Sequence, residues 1–132
     1  MDAFIGSWKL VKSDHFTEYL SALGVSEEEI SVAQSLKPTL TFHQDGESIV
    51  IKSVNIIFTS EVWFKLGEEF SEETRDHRKC KNVITLDEGK LVQVQTWDGK
   101  QTTIVREIMD DNMFMTLTFG DIASTSPIRR YK

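Results

Sequence analysis

The sequence predicts a mainly β protein, an antiparallel meander of about ten strands with a pair of helices after the first strand. From Thr39 onward, short segments of alternating apolar and polar residues follow one another at spacings of about ten residues. Turn signals such as Asp45-Gly46 and Asp98-Gly99 separate them. A meander of this length closes into a barrel or folds into a sandwich, because both arrangements bury its faces and edges, and a barrel of about ten strands leaves room for a cavity.

The helix pair is indicated by a change of apolar spacing after a first strand around residues 4–12. Four apolar residues at helical spacing mark the first helix: Phe16, Tyr19, Leu20 and Leu23. Gly24 follows them in a C-cap position. The second helix begins with the capping box Ser26-Glu27-Glu28-Glu29, and Pro38 stops it. Both helices are too short to be stable alone, so we expect them to pack as a pair against the strands.

Composition and charge narrow the class of protein. With 132 residues and no linker or internal repeat, the chain fits one domain over residues 1–132. A net charge of -6 and a pI of about 5.0 argue against nucleic acid as a partner. Cys80 is the only cysteine, so we expect no internal disulfide and no multi-cysteine metal site. The first residues contain no basic leader and no long apolar run, which predicts a cytoplasmic protein.

No catalytic constellation is recognisable in the sequence. The histidines His15, His43 and His77 are scattered, and the common hydrolase, metalloprotease and nucleotide-binding motifs are missing. We therefore predict that the protein is not an enzyme and uses neither a cofactor nor a metal. An interaction module remains an alternative, and it predicts a barrel filled by its own side chains.

Arg106 is the most informative residue of the chain. The two-residue period of a strand places it on the same face as Ile104 and Ile108, which predicts that it points inward. A buried guanidinium loses hydration at a cost of several kcal/mol, so it needs an anion or ordered water as a partner. Arg129 and Tyr131 share one face of the last strand by the same parity, and the three side chains together suit one carboxylate. Alternatively, Arg106 pairs with a carboxylate of its own chain or lies outward at a twisted edge.

Six segments, spread over nearly the whole chain, carry a family pattern. They are Phe4-Ile5-Gly6-Ser7-Trp8-Lys9-Leu10-Val11, Leu23-Gly24-Val25, Lys37-Pro38-Thr39, Phe64-Lys65-Leu66-Gly67-Glu68-Glu69-Phe70, Gln95-Thr96-Trp97-Asp98-Gly99-Lys100 and Thr102-Thr103-Ile104-Val105-Arg106-Glu107. In these segments the chain resembles the intracellular lipid-binding proteins, most closely the heart or muscle type of fatty-acid-binding protein. Secreted lipocalins share the Gly6-x-Trp8 element, but their helix follows the strands, whereas here the helices follow the first strand.

The resemblance implies a ten-stranded β-clam, an up-and-down barrel whose helix-turn-helix lid covers a cavity. In that family the cavity holds one long-chain fatty acid reversibly, and its carboxylate meets residues that match Arg106, Arg129 and Tyr131. The pocket and portal residues that correspond here are Phe16, Tyr19, Leu20, Phe58, Asp76, Gln95, Met115 and Leu117. A carrier of retinoic acid, which is also a carboxylate, is the alternative within the family. The resemblance further implies a monomer whose helical lid contacts membranes transiently.

Two departures from the family pattern affect these expectations. Between Gly120 and Arg129 the chain has about three more residues than the pattern, and an odd insertion in a regular strand turns the following side chains to the other face. We therefore predict a bulge around Ser126-Pro127-Ile128. Without it, Arg129 and Tyr131 point outward, Arg106 remains alone and Arg130 becomes a rival. The second departure is the acidic start of the second helix, which opposes contact with anionic membranes.

Overall fold

The computed structural model describes residues 1–10, 12–35, 37–55, 59–74 and 77–130, and it contains ten strands in one antiparallel sheet. Two α-helices follow the first strand. The bounds are β1 Gly6–Leu10, α1 Phe16–Leu23, α2 Glu27–Ser35, β2 Thr39–Asp45, β3 Ser48–Val54, β4 Thr59–Phe64, β5 Phe70–Glu73, β6 Lys79–Asp87, β7 Lys90–Trp97, β8 Lys100–Met109, β9 Asn112–Phe119 and β10 Ile122–Arg130. The predicted fold class is confirmed, and in the described part of the chain no helix has the length and apolarity that a membrane crossing requires.

The sheet curls into a nearly closed barrel because β1 pairs with both β2 and β10. All the other pairings join strands that are consecutive in sequence, and the order runs from β4 at one end of the sheet to β5 at the other. Among the described residues, β4 and β5 share no ladder of hydrogen bonds. Phe64 at the end of β4 and Phe70 at the start of β5 stack across this junction, with ring centroids 5.8 Å apart.

The turn between β7 and β8 shows how local sequence sets the register. Asp98 and Gly99 both have positive φ, 45° and 73°, which a tight two-residue hairpin turn requires and which aspartate and glycine tolerate best. Trp97 therefore pairs with Lys100, and the ladder continues to Leu91 opposite Arg106. The turn signal in the sequence thus fixes the position of Arg106 on the sheet.

Two apolar clusters lie on the inner side of the sheet. The larger one is formed by nine buried residues: Phe4, Trp8, Phe42, Ile49, Phe64, Ile84, Leu91, Met113 and Ile128. The smaller one joins α1 to the sheet through Tyr19 and Leu23, which pack with Cys80, Trp97 and Leu117. The helices are held by this second cluster: α1 packs on β9 and β10, and α2 packs on α1.

A buried hydrogen-bond chain fastens α1 to the sheet. The hydroxyl of Tyr19 lies 2.6 Å from Oγ1 of Thr102, and Oγ1 of Thr102 donates to the carbonyl of Thr118 at 2.8 Å. Because the single hydroxyl hydrogen of Thr102 is used for that carbonyl, Tyr19 is the donor to Thr102. The lid therefore has one fixed polar anchor in addition to its apolar contacts.

Removing this anchor should destabilise the protein. We expect Tyr19→Phe to lower the free energy of unfolding by about 1 to 2 kcal/mol, because the buried Thr102 hydroxyl oxygen loses its donor. Urea denaturation measures the change. In the control Thr96→Val, an exposed hydroxyl that donates to the carbonyl of Lys81 at 3.4 Å is removed, and the change should stay below about 0.5 kcal/mol. Equal effects of the two substitutions would show that the Tyr19 contact contributes nothing specific.

The predicted bulge in β10 is wrong, because the strand is regular. Its pairing with β9 runs without interruption from Ile122 opposite Phe119 to Arg129 opposite Asn112. Pro127 fits without a bulge for a geometric reason. The backbone of Thr125 forms hydrogen bonds with Asp14 on the side of the strand that faces β1. The backbone nitrogen of Pro127, two residues later, points to the same side. The described pairing with β1 ends at Leu10 opposite Ile128, so no ladder hydrogen bond is lost there because proline has no N–H.

The regular strand reverses the orientation predicted for Arg129. Ser124, Ser126 and Ile128 are buried on the inner face, whereas Arg129 is exposed on the outer face. The reason is parity: the additional residues lengthen the strand and shift every following side chain to the opposite face. The expectation that Arg129 lines the cavity is therefore wrong. Tyr131 lies outside the described residues.

Candidate ligand-binding site

The interior of the barrel contains a cavity with two lobes. The larger lobe, about 610 Å³, lies under the lid and between β1 and β4, and residues of α1 and α2 line it. The smaller lobe, about 250 Å³, lies against α1 and against strands β3 to β9. Leu20 of the lid and Arg106 of β8 line both lobes, so the lobes meet at these two side chains. A space of this size suits a small organic ligand, which excludes the filled barrel that an interaction module predicts.

Arg106 points inward, as its strand parity predicts, and its residue exposure is only 8%. One terminal nitrogen donates to Oε1 of Gln93 at 3.1 Å. Nε of Arg106 is buried, and among the described residues it has no hydrogen-bond partner and no carboxylate lies within 4.0 Å of the guanidinium. An unsatisfied buried donor costs about 1 to 3 kcal/mol or more, so this site is incomplete without an acceptor.

The charge of Arg106 persists at neutral pH despite its burial. Desolvation lowers the pKa of Arg106 from its ordinary value to about 10, and the carboxylate of Glu72 acts in the opposite direction. A guanidinium with this pKa stays protonated at pH 7. The junction of the two lobes therefore presents a positive charge and a free N–H to any bound molecule.

A network of polar side chains continues from Arg106 across the inner wall. Gln93 donates to Oδ1 of Asn82 at 2.8 Å, and Asn82 donates to Oε1 of Glu72 at 3.2 Å. Gln95 donates to the same two oxygens, at 3.1 Å in each case, and accepts from Arg78 at 3.0 Å. Arg78 also lies over the Trp97 ring, 4.3 Å from its centroid. These residues form a polar patch on the inner wall, between the apolar side chains of β6 and β7 that belong to the two clusters.

Ser126 occupies the inner position of β10 nearest to Arg106. Arg106 pairs with Met115, and Met115 pairs with Ser126, so the three residues form one row across β8, β9 and β10. Two strand spacings, about 10 Å, separate the ends of this row. Ser126 donates to Oγ of Ser13 at 2.9 Å, which ties β10 to the segment before α1. The position is thus filled by a neutral hydroxyl.

Arg130 is not a substitute for Arg129 inside the cavity. Its guanidinium lies over the Trp8 ring at 4.1 Å and donates to the carbonyls of Ala3 and Ile5. It also forms an ion pair with Asp111 at 3.2 Å. Arg130 therefore fastens the chain start to β10, and of the anion clamp predicted from the sequence only Arg106 faces the cavity within the described ranges.

Most of the other predicted pocket residues line the cavity. The larger lobe is lined by Phe16, Leu20 and Met115, and the smaller lobe by Tyr19, Leu20, Gln95 and Leu117. Phe58 and Asp76 lie outside the described residues. Glu72, Asn82 and Ser126 also face the interior, and they were not predicted from the sequence. Asn82 could have been predicted, because it alternates with the apolar Cys80 and Ile84 on the inner face of β6.

The helical lid gives the mouth of the larger lobe an acidic edge. Glu28 and Glu29 of α2 line this lobe together with Val32, which is 49% exposed. The predicted cap of α2 is present, since the N–H of Glu29 donates to Oγ of Ser26 at 3.3 Å. The acids thus stand at the positive end of the helix, where they stabilise α2.

A barrel with a hollow interior, a two-helix lid and one buried, unsatisfied guanidinium defines a class of proteins that bind amphipathic molecules inside the barrel. The chain belongs to the lipocalin / cytosolic fatty-acid binding protein family, whose model matches residues 5–129. The family and its solved members with this fold are binding and transport proteins, not enzymes.

Solved structures of similar sequence cover almost the entire chain. The fluorescent protein UnaG is 42% identical, with a TM-score of 0.93 and 98% of each chain covered. The Schistosoma mansoni fatty-acid-binding protein, solved in complex with arachidonic acid, is 36% identical, with a TM-score of 0.95 over 100% of this chain and 98% of that one. A fatty-acid-binding protein from Drosophila melanogaster brain tissue is 41% identical, with a TM-score of 0.89 over 96% and 98%.

Proposed function

We propose that this protein is a cytoplasmic carrier that binds one long-chain fatty acid reversibly in the two-lobed cavity, with the carboxylate at Arg106. The observation that carries the proposal is the guanidinium of Arg106, which is buried at the junction of the lobes and whose Nε has no partner among the described residues. A carboxylate supplies both the negative charge and the acceptor that this group lacks. The arachidonic acid complex of the Schistosoma relative supports the same ligand class.

Burial of the hydrocarbon tail supplies most of the binding free energy. A fatty acid with about fifteen methylenes gains roughly 12 kcal/mol gross, at ~0.8 kcal/mol for each buried CH₂. Association costs about 4 to 15 kcal/mol, so the tail is needed for binding at all. Arg106 then determines the orientation of the ligand and the choice of head group, because a neutral head group leaves the buried charge of the guanidinium uncompensated.

The proposal differs from the sequence prediction in its anion site. Arg129 is left out because it lies on the outer face of β10, and the tyrosine contribution of Tyr131 stays a prediction. The monomeric state stays a prediction too. Contact between the lid and membranes also remains a prediction, and the acidic residues at the mouth oppose it for anionic lipids.

Mass spectrometry and displacement test the proposal. Gentle ionisation of the intact protein, followed by identification of the extracted lipid, should show one fatty acid per chain. Displacement of a fluorescent fatty acid should rank oleic acid far above oleyl alcohol, and retinoic acid in the same assay distinguishes the retinoid alternative. Equal displacement by acid and alcohol would contradict the site at Arg106, and a chain that binds neither would contradict the function.

The preference for the acid over the alcohol should depend on pH in a defined way. A fatty-acid carboxyl has a pKa of about 4.3 to 5 in water, and contact with Arg106 lowers it, so the preference is complete above this range and is lost as the pH falls through it. Because burial places the pKa of Arg106 at about 10, the preference also narrows as the pH rises past that value. The ratio of the two affinities, measured by displacement from about pH 4 to 11, cancels changes of the protein that affect both ligands. A ratio that varies steadily between about pH 6 and 9 would contradict this assignment.

A further inference from the structure

Arg106 lies where the two lobes of the cavity meet, so a ligand bound to it can extend in two directions. Among the described residues, only Arg106 and Leu20 line both lobes, and each of the other lining residues belongs to one lobe or the other. A carboxylate at Arg106 therefore has space on both sides. The question of which ligand fits becomes a question of where on its chain the acid group is attached.

The two lobes differ in the amount of hydrocarbon that they hold. A methylene takes up about as much volume as a water molecule in the liquid, about 30 Å³. At this volume the larger lobe, about 610 Å³, holds about twenty methylenes and the smaller lobe, about 250 Å³, holds about eight. The tail of an ordinary long-chain fatty acid thus fits within the larger lobe alone, and the smaller lobe then contains no part of the ligand.

The smaller lobe suits a short apolar group. The amides of Gln93 and Gln95 donate to Asn82 and Glu72, and each also accepts a hydrogen bond from an arginine. An apolar group beside them leaves these bonds in place. The rest of the lining is mainly apolar: Tyr19, Leu20, Leu23, Ile51, Val62, Ile84, Ile104 and Leu117. Hydrocarbon in this lobe is removed from water without breaking the bonds of the polar patch.

A linear fatty acid reaches both lobes only by turning back. Because its carboxylate is at the junction, a tail that first fills one lobe must pass the junction again, beside Leu20, to enter the other. Such a turn requires several gauche bonds and brings methylenes against the head group that already occupies the junction. A ligand with two chains attached to the carbon that bears the carboxylate fills both lobes without a turn.

We infer from this geometry that the preferred ligand is an acid with two apolar arms, whose carboxylate stands at a branch point and not at the end of the chain. The longer arm occupies the larger lobe under the lid, and an arm of up to about eight carbons occupies the smaller lobe. The driving force is apolar area, because more hydrocarbon surface leaves water when both lobes are filled. This inference rests on the proposed function, since it requires the carboxylate at Arg106.

Two isomers test the inference, palmitic acid and 2-hexyldecanoic acid. They have the same number of carbons and the same charge, and they differ in the place of the carboxylate on the chain. The wild type should bind 2-hexyldecanoic acid about tenfold more tightly, because its hexyl arm enters the smaller lobe and its octyl arm the larger one. Isothermal titration calorimetry measures both affinities. In the same assay, 2-hexyldecan-1-ol should bind about 100-fold less tightly than the branched acid, because it has the same arms and no charge for Arg106.

Ile104→Phe tests the place of the shorter arm. Ile104 is half-buried and lines the smaller lobe but not the larger one. Phenylalanine takes up space that the hexyl arm needs, so the affinity for the branched acid should fall more than the affinity for palmitic acid, and the preference should disappear. Val105→Phe is the matched control, since this neighbour points to the outer face of β8, and it should keep the preference.

The outcomes distinguish the two proposals. Wild-type protein that binds palmitic acid as tightly as 2-hexyldecanoic acid, or more tightly, overturns the inference and leaves the proposed function intact. Wild-type protein that binds neither acid overturns both. A preference for the branched acid that survives in Ile104→Phe overturns the assignment of the shorter arm to the smaller lobe.

Discussion

Arg106→Gln should lower the affinity for oleic acid about 100-fold and leave the affinity for oleyl alcohol within about threefold of the wild-type value. The carboxylate loses its ion pair with the buried guanidinium, whereas the alcohol, which has no charge, forms no ion pair in either protein. The contribution of the tail is the same for both ligands, because the apolar walls are unchanged. The preference for the acid should therefore disappear, and displacement of a fluorescent fatty acid measures it.

Arg129→Gln is the matched control for this experiment. It removes the same charge from the same barrel, but Arg129 lies exposed on the outer face of β10. Both affinities should stay within about twofold of the wild-type values, since an exposed charge is screened by water. If Arg129→Gln instead abolishes the preference and Arg106→Gln retains it, the site described at the junction of the lobes is wrong.

Trp8→Ala should produce the largest loss of stability, about 3 to 5 kcal/mol in the free energy of unfolding. Trp8 is completely buried in the larger apolar cluster, and its indole N–H donates to the carbonyl of Phe4 at 2.9 Å. Its ring also forms a cation–π contact with the guanidinium of Arg130. The substitution leaves a cavity, an unpaired carbonyl and an arginine without its aromatic partner, and urea denaturation measures the sum.

Trp63 provides an internal comparison for this loss. It is the same residue type on the outer face of β4, where it is 54% exposed and donates to Glu61 at 3.3 Å. We expect Trp63→Ala to change the free energy of unfolding by less than about 0.5 kcal/mol. Similar losses for the two variants would mean that burial of Trp8 is not what stabilises this end of the barrel.

Local rules were sufficient for the fold and for the orientation of Arg106. Asp98 and Gly99 favour a tight two-residue turn, which sets the register of β7 and β8. The pairing then continues without a bulge from this turn to Arg106. The inward direction then follows from strand parity. The capping box at Ser26 and the C-cap at Gly24 delimit the helices in the same direct way.

The same parity rule failed for Arg129, because it requires a nearby residue of known orientation and a known number of regular strand residues between that residue and Arg129. An insertion upstream is absorbed either by a bulge or by a shift of every following side chain, and the strand pattern is compatible with both. The choice between the two depends on the tertiary structure. The backbone nitrogen of Pro127 points to the side where the described pairing with β1 has ended, so proline fits in a regular strand. Sequence alone does not show where a neighbouring strand stops.

Glu72 was missed for a different reason. Its strand has only four residues, Phe70–Glu73, and the alternation of half-buried and exposed side chains in it covers a single repeat. Such a short polar segment is indistinguishable from a loop in the sequence. Only the pairing of Glu72 with Cys80, on the inner face of β6, reveals that it faces inward.

The junction between β4 and β5 differs from the paired strand interfaces in the contacts that hold it together. Among the described residues, the two strands are held there by ring stacking of Phe64 on Phe70 and by no ladder of hydrogen bonds. Dispersion between rings falls off gradually with distance and tolerates sliding, whereas a hydrogen bond is lost within a fraction of an ångström. We therefore expect this junction, among the described parts of the barrel, to widen most easily when a bulky ligand binds, while the nine paired interfaces keep their register.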